Sequence, residues 1–271
     1  MRSAVTISLV PEASGGPFVF WHDLAAGCTQ AAELGFDAVE VFPRSAAELD
    51  VNLLRSCLDK HGLTLAAMGT GAGWLVQKLR LTDQDETVRQ SARQFIGEII
   101  NLAGQFGAPA IIGSMQGRAG GELSHEQHLV WLAEALEELA SRAADHGTTL
   151  LIEPINRYET NLVNTTDDGV KLIRSLKATN VKLLSDLFHM NIEEPDIASA
   201  LRAAGSLVGH VHFADSNRQA VGFGHTNVPP IIEALRSIGY NGYLSAEVLP
   251  LPDSTAAARQ TIESFRGACG A

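Results

Sequence analysis

The sequence predicts a (β/α)8 barrel, a closed ring of parallel strands wrapped by helices. Eight short apolar, β-branched runs alternate with longer stretches of helical period, the pattern of a parallel sheet with crossover helices. The runs begin near residues 4, 38, 63, 110, 148, 181, 207 and 242 of a 271-residue chain. That count and length suit one barrel. No Pro/Ser-rich linker or low-complexity stretch divides the chain, so residues 1–271 read as a single domain. The competing architecture is a doubly wound open sheet, which places a phosphate loop after its first strand. Residues 11–17 carry no G-x-G-x-x-G pattern, and Gly69, Gly71 and Gly73 follow the third strand without matching it.

The first expected strand covers residues 4–9; Thr6 and Ser8 interrupt it, which suits a strand better than a signal-peptide core. A helix over about 22–34 follows, then a strand at 38–42 and a helix over about 46–61. The third strand, 63–68, leads into a glycine-rich loop at 69–73 and then a long helix near 85–106. Strand 110–113 precedes a helix near 124–146, and strand 148–153 precedes a loop and a helix near 166–177. Strand 181–186 is followed by a helix near 196–204, strand 207–213 by one near 229–238, and strand 242–248 by one near 254–265. Gly35, Gly62, Gly107 and Gly147 stand at the ends of the first four helices, where a left-handed cap favours glycine.

Composition narrows the function. Hydrophobic residues make up 45% and charged residues 19%, a folded globular balance. Lys plus Arg is 20 against 31 Asp plus Glu, a net charge of −11. Such a chain is a poor candidate for gripping nucleic acid by bulk charge. No apolar run approaches the roughly 20 residues of a bilayer span, so no membrane role is expected. Cys28, Cys57 and Cys269 form an odd set without metal-type spacing. That favours a reducing, cytoplasmic compartment over a disulfide framework. The expected partner is a small molecule, with a homo-oligomer left open.

Barrel chemistry is done where strands end and loops begin. The fifth run ends in Glu153, the sixth in Asp186 and the eighth near Glu247. The seventh carries His210 and His212, two apart and so on one face. Singly, each has an ordinary explanation as a loop cap, an ion-pair partner or a hydrogen-bonded core histidine. Their neighbours Leu151, Ile152, Leu183, Leu184, Val211 and Phe213 are apolar, however, and charge in such surroundings is costly unless compensated. The four strands are consecutive, so these side chains share one sector of the barrel mouth. Three carboxylates there repel one another, and a divalent cation relieves the repulsion. Three carboxylates and one imidazole without thiolate favour Mn2+, Mg2+ or Co2+ over a structural zinc site. The loops that follow supply Asn, Arg, His and Glu, an inventory for a polyhydroxylated ligand. For Arg157, Asp215 and Asn217, loop structure or salt bridging is at least as good a reading.

These residues resemble the xylose-isomerase-like barrels of the sugar phosphate isomerase/epimerase superfamily. The second half is most similar to the ketose 3-epimerases of the tagatose/allulose type. The resemblance rests on Glu153-Pro-Ile-Asn-Arg-Tyr-Glu159, Asp186-Leu-Phe-His-Met-Asn-Ile-Glu-Glu194, His210-Val-His-Phe-Ala-Asp-Ser-Asn-Arg218 and Glu247. It implies one divalent ion, Mn2+ foremost, held by Glu153, Asp186, His212 and Glu247. It also implies substrate-binding roles for Glu159, His189 and Arg218. Residues 148–250 carry it well, and the first half only by architecture. The loop after Arg218 lacks the proline usual before its first glycine, and the segment with Trp74, Lys78 and Arg80 does not map onto the epimerases.

The expected chemistry is proton transfer beside a carbonyl through an enediolate, with Glu153 and Glu247 as acid and base. Return of the proton to the opposite face gives epimerisation, return to the next carbon gives isomerisation, and loss of a β-hydroxyl gives dehydration. The alternatives are a metal-dependent lyase or dehydratase on a keto-sugar, cyclitol or C-glycoside and, less favoured, a non-catalytic sugar-binding barrel. A nuclease would need a larger metal cluster and a basic face. Trp74 is read as an apolar wall against a sugar, His225 as a substrate contact, and Lys78 and Arg80 as a phosphate or carboxylate receptor or as merely exposed. His125 and His128 are read as part of a solvated helix face beside Glu122 and Glu126.

Overall fold

A computed structural model describes residues 1–270. The elements run β1 (Arg2–Ser8), β2 (Phe20–Trp21), α1 (Leu24–Leu34), β3 (Ala38–Phe42), α2 (Val51–His61), β4 (Thr64–Gly69), α3 (Ala72–Gln77), α4 (Glu86–Gly104) and β5 (Ala110–Ile112). They continue α5 (His125–Asp145), β6 (Leu150–Ile152), α6 (Thr166–Ser175), β7 (Val181–Asp186), α7 (Leu187–Glu193), α8 (Ile197–Ala204), β8 (Val208–His212), α9 (Val228–Ser237), β9 (Tyr243–Ala246) and α10 (Ser254–Cys269). Strands β1 and β3 to β9 pair in parallel around a ring. Pairing of Arg2 with Tyr243 through Val5 with Ala246 closes it. The predicted barrel is therefore the observed fold.

The two-residue β2 was not expected. It pairs Ile7 with Phe20 and Ser8 with Trp21, continuing the edge of β1 beyond the last contact with β9. It also carries Phe18 and the loop after β1 toward the barrel mouth. Two register shifts matter for the site. One falls beside Glu40, between β3 and β4, and the other beside Leu184, between β7 and β8. Such irregularities re-aim side chains. At the second, Gly209 is the extra residue; a Cβ there would meet Lys182 Cβ at 2.7 Å and Leu151 Cδ2 at 2.8 Å.

Helix starts follow capping chemistry. Asp23, Asp50, Asp85, Ser124, Thr165, Asp196 and Asp253 each accept a backbone N–H from the first turn. Gly35 and Gly62 cap α1 and α2 in the left-handed conformation as expected. Gly107 and Gly147 are also left-handed, but they lie just past the caps Gln105 and His146. The supposed loop at 69–73 is partly helical, since α3 starts at Ala72. The segment after Asp186, read as a loop, is α7, seven residues or about two turns of helix with Asp186 as its cap.

Most of the core lies between the sheet and the helices. Inside the ring, Ala4, Ala38 and Ala66 form a layer against Tyr243. Ala67, Ile111, Leu151 and Leu184 form a second. Among the described residues no helix is long and apolar enough to cross a membrane. His128 corrects the solvated-face reading. It is 1% exposed, its Nδ1 lies 2.8 Å from the Ser124 carbonyl, and its ring meets Trp131 edge-on. The face of α5 that carries it turns inward one turn after the cap, and only His125 stays outside.

The inner layer predicts one cost. Leu151→Ala should destabilise the barrel by about 2–5 kcal/mol, because the closed ring cannot collapse around the hole. Urea denaturation measures this, and a loss below about 1 kcal/mol would show that the interior repacks.

Candidate metal centre and substrate cavity

Four ionisable side chains meet where strands β6 to β9 end. Glu153 follows β6, and its N–H donates to the Ile112 carbonyl at 2.9 Å, extending the parallel pattern by one residue. Asp186 is both the last residue of β7 and the cap of α7. Its Oδ1 accepts the Phe188 N–H at 2.8 Å, which leaves Oδ2 facing the barrel mouth. His212 ends β8 beside Asp186 in register. Glu247 lies one residue past β9.

One ligand atom from each of the four lies within 4.8 Å of all the others. His212 Nδ1 is 3.7 Å from Glu153 Oε1, 3.5 Å from Asp186 Oδ2 and 3.6 Å from Glu247 Oε2. Donors about 2.0–2.2 Å from one ion stand about 3–4 Å apart, so the spacing fits a single small cation. Three of these atoms, Glu153 Oε1, Asp186 Oδ2 and His212 Nδ1, are buried without any hydrogen-bond partner. Such orphans are rare in native proteins. Here they point at one another, which is the arrangement a cation satisfies.

Electrostatics agrees. Burial raises the Glu153 carboxyl well above its ordinary value, and the carboxylates of Glu247 and Asp186 add to this against the pull of His212 and Arg218. Burial likewise raises Glu247. For Asp186 the burial penalty is outweighed by His189, His212 and Arg218, and its carboxyl is held low. His212 is buried too, yet the carboxylates of Glu40 and Glu247 push it well above the usual imidazole value. Without a cation the cluster therefore balances its charge with protons.

The two histidines at this centre have opposite polarity. His212 Nε2 lies 3.1 Å from Glu40 Oε1, so its second nitrogen, Nδ1, is turned to the cluster. His189 is the reverse. The Asn156 backbone N–H donates to its Nδ1 at 3.2 Å, and the Asn156 amide nitrogen lies at 2.8 Å. With Nδ1 accepting, the proton sits on Nε2, 3.8 Å from both Glu153 Oε1 and Asp186 Oδ2. Burial lowers the His189 value, which keeps it neutral. His189 thus presents a donor, and His212 can offer a lone pair to a cation once the proton on its Nδ1 has left. Arg218, in a left-handed conformation at φ 59°, sets its Nη2 2.9 Å from Glu247 Oε2 and its Nη1 3.7 Å from Glu159 Oε1. Glu159 in turn accepts from the Asn156 amide at 3.0 Å. All seven residues singled out from the sequence are brought together.

A cavity of about 280 Å³ opens over this cluster. It sits just below the about 300–1,000 Å³ of drug-sized ligand pockets, which suits one short sugar chain. Its far wall is apolar: Phe18, Phe42, Trp74, Leu75 and Ile155. Trp74 is a wall residue as expected. Lys78 and Arg80 do not line the cavity; they lie over the Trp74 ring, 5.1 and 5.5 Å from its centroid. His225 is also outside, with its Nδ1 against Ser216 Oγ at 2.6 Å. Arg157 pairs with Glu193, and Asp215 accepts backbone N–H groups from Ser216, Gly222, Gly224 and Thr226, so both serve loop structure. Asn217 likewise binds the Phe223 carbonyl.

Sequence reasoning missed Glu40, Asn156 and the aromatic pair Phe18 and Phe42. Glu40 had a signal: a carboxylate between Val39 and Val41 in a predicted strand. The aromatic pair had none, because Phe18 reaches the mouth through the unforeseen β2.

The barrel and its carboxylate-imidazole centre define a class. Residues 28–267 match the xylose isomerase-like TIM barrel family, and the chain belongs to it. Among curated relatives, it is 31% identical over 225 residues to the D-psicose 3-epimerase of Ruminiclostridium cellulolyticum, covering 80% of this chain and 75% of that one. It is 32% identical over 219 residues to the L-ribulose 3-epimerase of Mesorhizobium japonicum, covering 79% and 72%. The D-allulose 3-epimerase from Methylomonas sp., solved in complex with D-allulose, shares the fold with a TM-score of 0.82 at 24% identity, over 99% of this chain and 98% of that one. These relatives are isomerase-class enzymes, the class expected from the sequence.

The charge balance of the centre can be tested without any substrate. Burial raises Glu153 and Glu247, and neighbouring carboxylates raise His212, so protons on these groups compete with a cation; binding must release protons and tighten as pH rises. Titration calorimetry in buffers of different ionisation enthalpy measures both. An affinity independent of pH would contradict the assignment.

Proposed function

We propose that the protein is a divalent-metal-dependent sugar epimerase that inverts the carbon beside a ketose carbonyl. The single observation that carries this reading is the convergence of three partnerless buried donor atoms beneath a sugar-sized cavity. The relatives named above support the reaction class, and D-psicose and L-ribulose are the first substrates to try. Glu153, Asp186, His212 and Glu247 would hold the ion, with Mn2+ preferred and Mg2+ or Co2+ suited to the same hard donors. A cation held there would supply positive charge beside the substrate oxygens on which negative charge develops.

The remaining work falls to the chain's own side chains. Glu153 and Glu247 approach from strands on either side of Asp186 and His212. One removes the proton from the carbon next to the carbonyl, and the other delivers a proton to the opposite face. His189 donates its Nε2 hydrogen to a substrate oxygen that gains negative charge. Arg218 holds Glu247 and offers its remaining N–H groups to a neighbouring oxygen. Glu159 orients an outer hydroxyl and, through Asn156, the His189 ring. The apolar wall of Phe42 and Trp74 takes the carbon face of the sugar and keeps water from the enediolate. The unpaired cysteines support a cytoplasmic setting and the one closed barrel a single-domain enzyme, with self-association a further part of the proposal.

Glu153→Gln and Glu247→Gln should each lower exchange of the substrate's α-proton with solvent deuterium by about 10²–10⁴-fold. Near wild-type exchange in either variant, followed by NMR, would remove the two-carboxylate mechanism. A chelator should inactivate the enzyme, and Mn2+ should restore it. Epimer product separates this reading from elimination. Trp74→Ala should raise KM several-fold with kcat nearly unchanged, because a wall contact binds ground and transition states alike. A large fall in kcat would instead place Trp74 in the chemistry.

A further inference from the structure

Behind the metal centre lies a second buried group that the reaction does not use. Glu40, on β3, stands between two imidazoles of β8. Its Oε2 is 2.8 Å from His210 Nε2 and its Oε1 is 3.1 Å from His212 Nε2. Glu40 is 4% exposed and each histidine 1%. The two strands are not neighbours in the ring, since β1 and β9 lie between them. The contact therefore crosses the barrel interior, and β8 is irregular there, with the extra residue Gly209 just before His210, while β3 runs regularly through Glu40 against β1.

A carboxylate buried this deeply is costly unless donors satisfy it. Each of its oxygens takes one ring nitrogen, so both oxygens are satisfied. This also separates the trio from a second metal site. None of the four facing atoms lacks a partner, whereas three atoms of the neighbouring quartet do.

We propose that Glu40 is a positioning residue for the metal centre. It accepts the Nε2 hydrogen of His212, which fixes the imidazole tautomer and aims the Nδ1 lone pair at the ion. His210 is the anchor that keeps Glu40 in place from the other side. A ligating histidine needs its other nitrogen oriented, and loss of such a partner typically costs about 10–100-fold in metal affinity. The proposal rests on the metal reading of the quartet given above. It extends that reading to a residue on the opposite side of the barrel.

The test is Mn2+ binding by the full chain, followed by the electron paramagnetic resonance of free Mn2+. Glu40→Gln should keep the fold by circular dichroism and weaken Mn2+ about 10–100-fold, with one ion per chain in wild type. Asp186→Asn keeps the helix cap and removes a ligand charge, so it should weaken binding further. If Asp186→Asn binds Mn2+ as wild type does, the metal reading itself fails. If Asp186→Asn loses binding and folded Glu40→Gln does not, only the role of Glu40 fails. Two ions in wild type with one lost in Glu40→Gln would make Glu40 a ligand and overturn the proposal. A second measurement needs no variant. In Mg2+-saturated wild type, ¹⁵N-resolved imidazole NMR should show His212 protonated on Nε2, and a proton on Nδ1 instead would overturn the assignment.

Discussion

Three carboxylates and an imidazole share a buried pocket in this barrel, and the rest of the site is arranged around their mutual charge. Like charges that close cannot all ionise unless something positive stands among them. Arg218 supplies part of the balance, but its close contacts are with Glu247 and Glu159, it reaches Asp186 Oδ2 only at 4.0 Å, and the inner atoms of Glu153, Asp186 and His212 stay without a hydrogen bond. The fold makes this tolerable because adjacent parallel strands fix the spacing of their last residues. Asp186 and His212 are register partners on neighbouring strands, and their separation follows from the ladder itself.

Local devices then aim each donor. Capping of α7 by one oxygen of Asp186 leaves the other for the centre. The absence of a side chain at Gly113 gives Glu153 its room, since a Cβ there would collide with Glu153 Oε2. The backbone and amide of Asn156 fix His189 as a donor. The polarity of each imidazole is thus decided by its other nitrogen, and two histidines of the same chemical type take different parts at one centre.

Much of this was legible in the sequence. Alternation of strand and helix gave the barrel, and the barrel directed attention to strand ends, where Glu153, Asp186, His212 and Glu247 stand. Residues 153–159, 186–189 and 212–218 carried the resemblance that singled out Glu159, His189 and Arg218. The rest was hidden for identifiable reasons. Glu40 lies mid-strand, and its partners His210 and His212 stand across the barrel on β8, a pairing that a single sequence does not reveal. Phe18 and Phe42 meet at 4.6 Å between ring centroids only because the first loop folds back through β2. His128 looked solvated because the residues beside it are acidic, while its own position on α5 faces inward. For Lys78 and Arg80 the sequence leaves anion binding and plain exposure open, and the structure sets both over the Trp74 ring, outside the cavity lining.

The most direct measurement is an anomalous difference map from crystals of the protein grown with Mn2+. The account predicts one peak within about 2.0–2.3 Å of Glu153, Asp186, His212 Nδ1 and Glu247. No peak at that place, or one coordinated by Glu40 and His210 in its stead, would contradict it.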